Sequence, residues 1–268
     1  MSATTATRPE TGLRPTFPRL VRAEWIKLRS LRSTLWTSIA TILIMTAFGA
    51  LFAWAMTTFP ESPSRDISSA IVGYPIAQLT IAVLGALIIT GEFTTGAYRS
   101  TLAAEPRRLR VVGAKGLIVL LTGLVVGTLA VAAAIGAAVP ILLGAGAGID
   151  VPAEALEAII GTVLYLTVSA LFAYGIGLIV RNSAGAITAT VGVLFVLPVI
   201  VQIAAAMTNA DWLWKTYEYL PSTAGSAITG FGMGGASSLE PWAGFAVFGG
   251  YTVVALLIGA FSFARRDD

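Results

Sequence analysis

The sequence contains neither cysteine nor histidine. The first absence excludes disulfides and thiol redox chemistry, and the two together remove Cys/His metal sites and every triad or metalloprotease motif that needs imidazole. Charge is scarce as well: 12% of the residues are Asp, Glu, Lys or Arg, where a soluble domain carries about 25%. What is present is apolar surface, with 56% of the 268 residues hydrophobic, 28 glycines and a mean hydropathy of +0.83. That composition describes a membrane protein. A net charge of +3 and a pI near 9.4 would suit nucleic acid only if the bases were clustered for it, and their positions speak instead for topology.

A hydrocarbon core of about 30 Å needs roughly 20 mostly apolar residues per helix. Six uncharged runs meet that length, at 35–57, 70–90, 114–143, 157–180, 185–206 and 241–263. Backbone groups in lipid must be satisfied internally, so all six are expected to be helices and the fold class all-α. Met1 to Thr34 has no apolar h-region, so no signal peptide is expected there. Residues 1–16 read as a disordered tail, 17–34 as an amphipathic interfacial helix, 35–263 as the six-span domain and 264–268 as a second tail.

Counting Lys and Arg by loop tests the orientation independently. Fifteen fall on one face: seven before the first span (Arg8 to Arg32), five between the second and third (Arg99, Arg107, Arg108, Arg110, Lys115), then Arg181, Arg265 and Arg266. The other face has only Arg65 and Lys215, beside eight carboxylates from Glu61 to Glu240. The asymmetry implies that both termini are cytoplasmic.

Two cytoplasmic segments show more order than topology requires. In Phe17 to Leu35, the residues Phe17, Leu20, Val21, Trp25, Leu28, Leu31 and Leu35 recur at helical spacing, with Arg19, Arg22 and Arg29 on the other side. Glu24 breaks the pattern, since at 100° per residue it projects into the apolar arc between Leu31 and Leu35. Either it pairs with Lys27 one turn on, or it bonds to another part of the bundle. The second segment, Gly91 to Gly116, predicts an N-cap at Thr94 or Thr95, a short helix over Tyr98 to Ala104, and a stop at Glu105-Pro106.

These residues carry a resemblance. The run Glu92-Phe93-x-x-Gly96-x-x-Arg99-x-x-Leu102-x-x-x-Pro106-Arg107-Arg108, followed by Lys115, resembles the loop between spans two and three of the permease subunits of bacterial type-2 ATP-binding-cassette (ABC) exporters. Ala23-Glu24-Trp25-x-Lys27-Leu28-Arg29-Ser30 is similar to the connecting helix with which those permeases begin, and Tyr219-Leu220-Pro221-Ser222 to the stretch before their last span. Ala97 departs from the Thr more usual after the glycine. The resemblance implies that the loop is a coupling helix docking on a cytoplasmic ATPase, with Tyr98, Arg99, Thr101 and Leu102 facing that partner and Glu92 at the membrane end of span two. It also implies that Glu24, Trp25 and Lys27 belong to a helix packed beside it, and that the segment between spans five and six partly re-enters the membrane.

The chain has no G-x-x-x-x-G-K-[ST] motif, and Gly113-Ala114-Lys115-Gly116 lacks both the spacing and the hydroxyl. ATP and Mg would therefore belong to a separate ATPase, present in two copies per complex, with no cofactor or metal in this chain. Ion-coupled carriers generally keep ionisable groups inside the bundle, and the six runs as bounded above hold none away from their ends. Gln78, Gln202, Tyr165 and Tyr174 are the larger polar groups at membrane depth; by resemblance, Gln78 and Gln202 would line a path between two copies or two related permeases. The third run, Val111 to Leu143, would be about 50 Å long as a helix, so it should extend into the cytoplasm and bend near Pro140. Gly123-x-x-x-Gly127 reads as a packing signature, and Pro75 and Pro198 as kinks. Trp212, Trp214, Tyr217 and Tyr219 prefer a membrane interface and mark a short interfacial or re-entrant helix pair.

The reading is a permease subunit, itself no enzyme, that moves an amphipathic or lipid-like substrate out of the cytoplasm or inner leaflet. Its expected partners are the ATPase, a second permease and membrane lipids, with no nucleic acid. The alternative is a six-span channel-like or assembly protein without ATP coupling. An intramembrane enzyme ranks third, having no imidazole and no buried carboxylate pair to work with.

Overall fold

In a computed structural model, residues 16–58, 67–146, 149–230 and 239–265 are described, and among them the only regular elements are helices. The expected tail 1–16 thus lies almost wholly outside the described residues, as do 266–268 and the glycine-rich stretch at 231–238. Six helices are long and apolar enough to cross a membrane. They are α2 (Arg32–Thr58), α3 (Tyr74–Thr95), α5 (Arg108–Gly144), α6 (Ala153–Val180), the segment Ser183–Thr208, and α11 (Pro241–Arg265). Before them lies α1 (Phe17–Ser30), and between α3 and α5 lies α4 (Ala97–Ala104).

Several boundaries differ from the sequence reading, each for a physical reason. The second span begins at Tyr74, after a 3-10 segment Ile67–Ile71, and Pro75 sits in its first turn instead of kinking it, because an N–H missing there has no intrahelical acceptor to lose. The same helix continues five residues beyond the expected end, through Thr95. No Thr caps α4: the Thr94 and Thr95 hydroxyls donate back to carbonyls of α3 at Thr90 and Gly91, and the turn is made by Gly96 at φ 69°, which costs glycine little. The third span starts at Arg108 and runs 37 residues, continuous through Pro140, longer than the roughly 20 residues that hydrocarbon requires. The fifth splits into α7 (Ser183–Val191), a π-helical turn Gly192–Val196 and α8 (Leu197–Thr208). Pro198, which lacks an N–H, follows that turn, and π-turns commonly absorb such a lost bond.

Small residues set how closely the helices approach. A Cβ at Gly123 would stand 3.1 Å from Thr167 and one at Gly127 3.4 Å from the Val163 carbonyl, so the G-x-x-x-G pair does bring α5 against α6. Gly85 of α3 is tighter, its missing Cβ pointing straight at the Ala170 carbonyl of α6. Between α8 and α11 come two short helices, α9 (Asp211–Glu218) and α10 (Pro221–Ser226), then a 3-10 turn Ala227–Thr229. Every residue from Pro221 to Thr229 is buried, with Gly225 flat against the rings of Phe248 and Tyr165. On α9, Trp212 remains exposed while Tyr217 is buried, and Tyr219 just past its end is exposed; burial pushes the Tyr217 phenol pKa up.

Candidate functional site: a buried four-charge cluster beneath a short surface helix

α1 buries Leu20, Glu24 and Leu28, a period-four stripe, against α5 and the start of α2. Only part of its expected apolar face is covered: Trp25, Leu31 and Leu35 stay exposed, as does Ile26. Glu24 is 4% exposed, and in the low dielectric of a protein interior an unpaired carboxylate there would be untenable. Both of its oxygens are paired. Oε1 accepts from Lys27 Nζ at 2.8 Å and Oε2 from Lys115 Nζ at 2.5 Å. The local and the long-range partner are thus both real, and they hold different oxygens.

A second carboxylate closes the set. Glu92 Oε1 accepts from Lys115 at 2.6 Å and from Lys27 at 3.1 Å, so two ammonium groups and two carboxylates form a neutral ring joining α1, α3 and α5. Lys27 also donates to Thr101 Oγ1 of α4 at 3.0 Å, which ties the short helix to the ring. For Lys27, burial lowers the pKa, but the hydrogen bond and charge of Glu24, with those of Glu92, outweigh it, so the net shift is upward. The expectation that the bundle holds no ionisable groups is corrected here. Because α3 overruns its apolar segment, Glu92 lies on a spanning helix and not in a loop, and it meets Lys115, only 1% exposed, near the start of α5.

The cluster forms one wall of a cavity of about 390 Å³. The rest of its lining is mainly apolar, Leu28, Leu31, Leu87, Ile88 and Ile118, with Ser30, Ser33 and Thr95 among them.

A second tie runs from α4 through aromatic rings. Tyr98 lies 5.4 Å from Phe93, Phe93 6.0 Å from Phe263 of α11, and the Arg181 guanidinium stands 5.6 Å above Phe93 and 5.8 Å above Phe263. Arg181 Nη2 also donates to the Ser262 carbonyl at 3.0 Å, where a cation suits the negative end of α11. α4 is therefore tied to α1 by the Lys27–Thr101 hydrogen bond and to α3 by the Tyr98–Phe93 ring contact, and through Phe93 to α11.

The residues expected on the outer face of α4 divide. Arg99 is exposed and donates to its neighbour Tyr98 at 3.1 Å, whereas Thr101 points at the ring and Leu102 packs against the core. The outward residues are Arg99, Ser100 and Ala103. Glu92 likewise faces the cluster. Gln78, expected on a path between copies, is 1% exposed and donates to Ser169 of α6 at 3.3 Å within the same chain; Gln202 on α8 is half-buried. The sequence reading assigns Lys115 and Phe93 no site role: Lys115 enters it as a cytoplasmic base and in a motif run, Phe93 in the motif run alone. The available signal for Lys115 was Glu24 itself, an acid in an apolar arc that needs more cation than one neighbour supplies.

Among the described residues no group of three acidic side chains is disposed to hold a metal ion. No family model matches the chain, and no curated protein matches it.

Proposed function

We propose that this chain is the membrane-spanning permease subunit of an ATP-driven exporter of the ABC type, with α4 as the element that receives motion from a separate ATPase. One observation carries the reading furthest: a short helix, set where two spanning helices meet, exposes Arg99, Ser100 and Ala103 on one side and is tied on the other to a charge ring joining three helices. A loop needed only as a connector has no use for such ties. A helix that must pass displacement into the bundle does, because packed and ion-paired elements move as units while solvated loops absorb motion. The sequence resemblance of residues 92–108 and 23–30 adds independent support.

In this reading the face bearing α1 and α4 is cytoplasmic, as the distribution of bases suggests. α1 lies in the interface with Trp25, Ile26 and Leu31 toward lipid, and the buried α10 is the turn of a segment re-entering from outside. ATP and Mg reside on two copies of the partner, and a second permease completes the pathway. The cargo class favoured by the apolar walls is amphipathic or lipid-like, released to the outside.

The test is association with the ATPase. Wild type should purify with a stoichiometric ATP-hydrolysing subunit, and Arg99→Asp with Ala103→Asp should abolish that association while leaving thermal stability near normal. Leu102 is unsuitable for this purpose because it packs inward. Purification of the intact, functional chain without such a subunit, or transport driven by an ion gradient and indifferent to ATP, would overturn the assignment.

A further inference from the structure

The start of α5 and the end of α11 form a strongly basic surface that the proposed coupling does not use. An open hollow of about 620 Å³ there is lined by Pro106, Arg107, Arg108, Leu109, Arg110 and Ala264. Among the described residues no carboxylate lines it. The neighbouring Glu105 is 4% exposed and turned inward, accepting the Arg107 backbone N–H at 3.2 Å, and stands 3.9 Å from Arg110 Nη1. Arg107 and Arg110 are exposed.

Depth is fixed by Arg108, whose Nη1 donates to the Phe263 and Ala264 carbonyls at 3.3 and 3.4 Å. The beginning of one long apolar helix is thereby held level with the end of another, a level that in a membrane would fall near the headgroups. Two large apolar side chains are exposed at the same level, Leu109 and Phe261, and Arg265 covers the Phe261 ring at 4.2 Å. Guanidinium groups bind phosphate oxygens bidentately, and arginines beside exposed apolar side chains at this depth match the boundary between headgroups and acyl chains.

We propose that this hollow binds the phosphate of an anionic phospholipid, with Arg107 and Arg110 as its ligands, Arg108 as the anchor setting its depth, and Leu109 against the lipid's glycerol and upper acyl region. A free phosphate would engage only the arginines, whereas a phospholipid would also meet the exposed Leu109 that lines the hollow, so the lipid is the favoured source. The inference stands apart from ATP coupling, since it requires only that α5 and α11 span a membrane.

The experiment titrates the detergent-solubilised chain with phosphatidylglycerol or phosphatidylcholine and counts retained lipid by native mass spectrometry. Wild type should retain phosphatidylglycerol preferentially, and Arg107→Gln with Arg110→Gln should lower that preference roughly tenfold. The single variant Arg107→Gln should show a smaller loss of the same sign, which keeps the test intact if the double variant fails to fold. Three results would overturn the proposal: no preference in wild type; an equal loss from Arg29→Gln with Arg32→Gln, which would mean diffuse charge; or displacement of the lipid by millimolar inorganic phosphate, which would mean a free-anion site.

Discussion

Lys115 Nζ lies 2.5 Å from Glu24 Oε2, a contact between residues 91 positions apart that is buried on both sides. It resolves the one misfit in the amphipathic pattern of α1. An acid can stand in the apolar arc because an ammonium from the long helix α5 meets it there, and Glu92 shares that ammonium at 2.6 Å. The two lysines are not equivalent. Lys115 is 2% exposed and bridges the carboxylates from within, while Lys27 is 41% exposed and closes the ring from outside.

That inequality sets the first prediction. Lys115→Met leaves two shielded carboxylates facing a single, partly solvated ammonium, and removal of one partner from a buried pair costs about 3–5 kcal/mol. Glu24→Ala should fall in the same range. Lys27→Ala should cost about 1 kcal/mol or less, since solvent screens the exposed partner and Lys115 still joins both acids. Thermal unfolding in detergent measures all three, and the Glu24→Ala/Lys115→Met double variant should lose clearly less than the sum. Equal, small losses for Glu24→Ala and Lys27→Ala would reduce the ring to a surface ion pair.

The second prediction compares two glycines of α3. At Gly85 a Cβ would collide with the Ala170 carbonyl oxygen, a backbone atom that cannot turn aside, whereas at Gly91 nothing lies within 4 Å. Gly85→Ala should force α3 and α6 apart at a cost of about 1–3 kcal/mol or more. Gly91→Ala should instead stabilise by up to about 1 kcal/mol, through helix propensity alone. The ordering of the two melting temperatures around wild type decides the matter.

Alkaline pH provides a third. Burial alone would lower the Lys27 pKa, but Glu24 and Glu92 raise it overall. A group whose pKa is raised by folding contributes its full stabilisation below its unfolded value, about 10.4 for lysine, and loses it as pH rises through the higher folded value. The melting temperature of wild type should therefore fall above about pH 10.4 more steeply than that of Lys27→Met. Parallel curves for the two proteins would show that Lys27 gains no net charge stabilisation from folding.

Orientation supplies the fourth, aided by the absence of native cysteine. Ser100 on α4 and Thr216 on α9 are both exposed and belong to opposite ends of the proposed topology. In intact cells, a membrane-impermeant maleimide should label Thr216→Cys, and Ser100→Cys only after permeabilisation. The reverse pattern would invert the topology and with it the cytoplasmic placement of α4.

Sequence determined the class of molecule and the number of its long apolar helices, because hydrocarbon imposes a length on every span and tolerates no unpaired backbone. It also located the oddity of Glu24 and the close approach at Gly123 and Gly127, since helical periodicity and the lack of a side chain are local properties. Tertiary structure alone decided where α3 and α5 stop. A run of apolar residues marks where lipid must be met, but helix hydrogen bonding continues past that limit wherever neighbours shield the side chains, and so Glu92 became helical and largely shielded beside Lys115. Partner choice was equally out of reach of periodicity. The Glu24 oxygens could be divided between a residue three positions on and one 91 positions away only once α1 had packed against α5, because an ion pair in a shielded site is chosen by distance in space and not by separation along the chain.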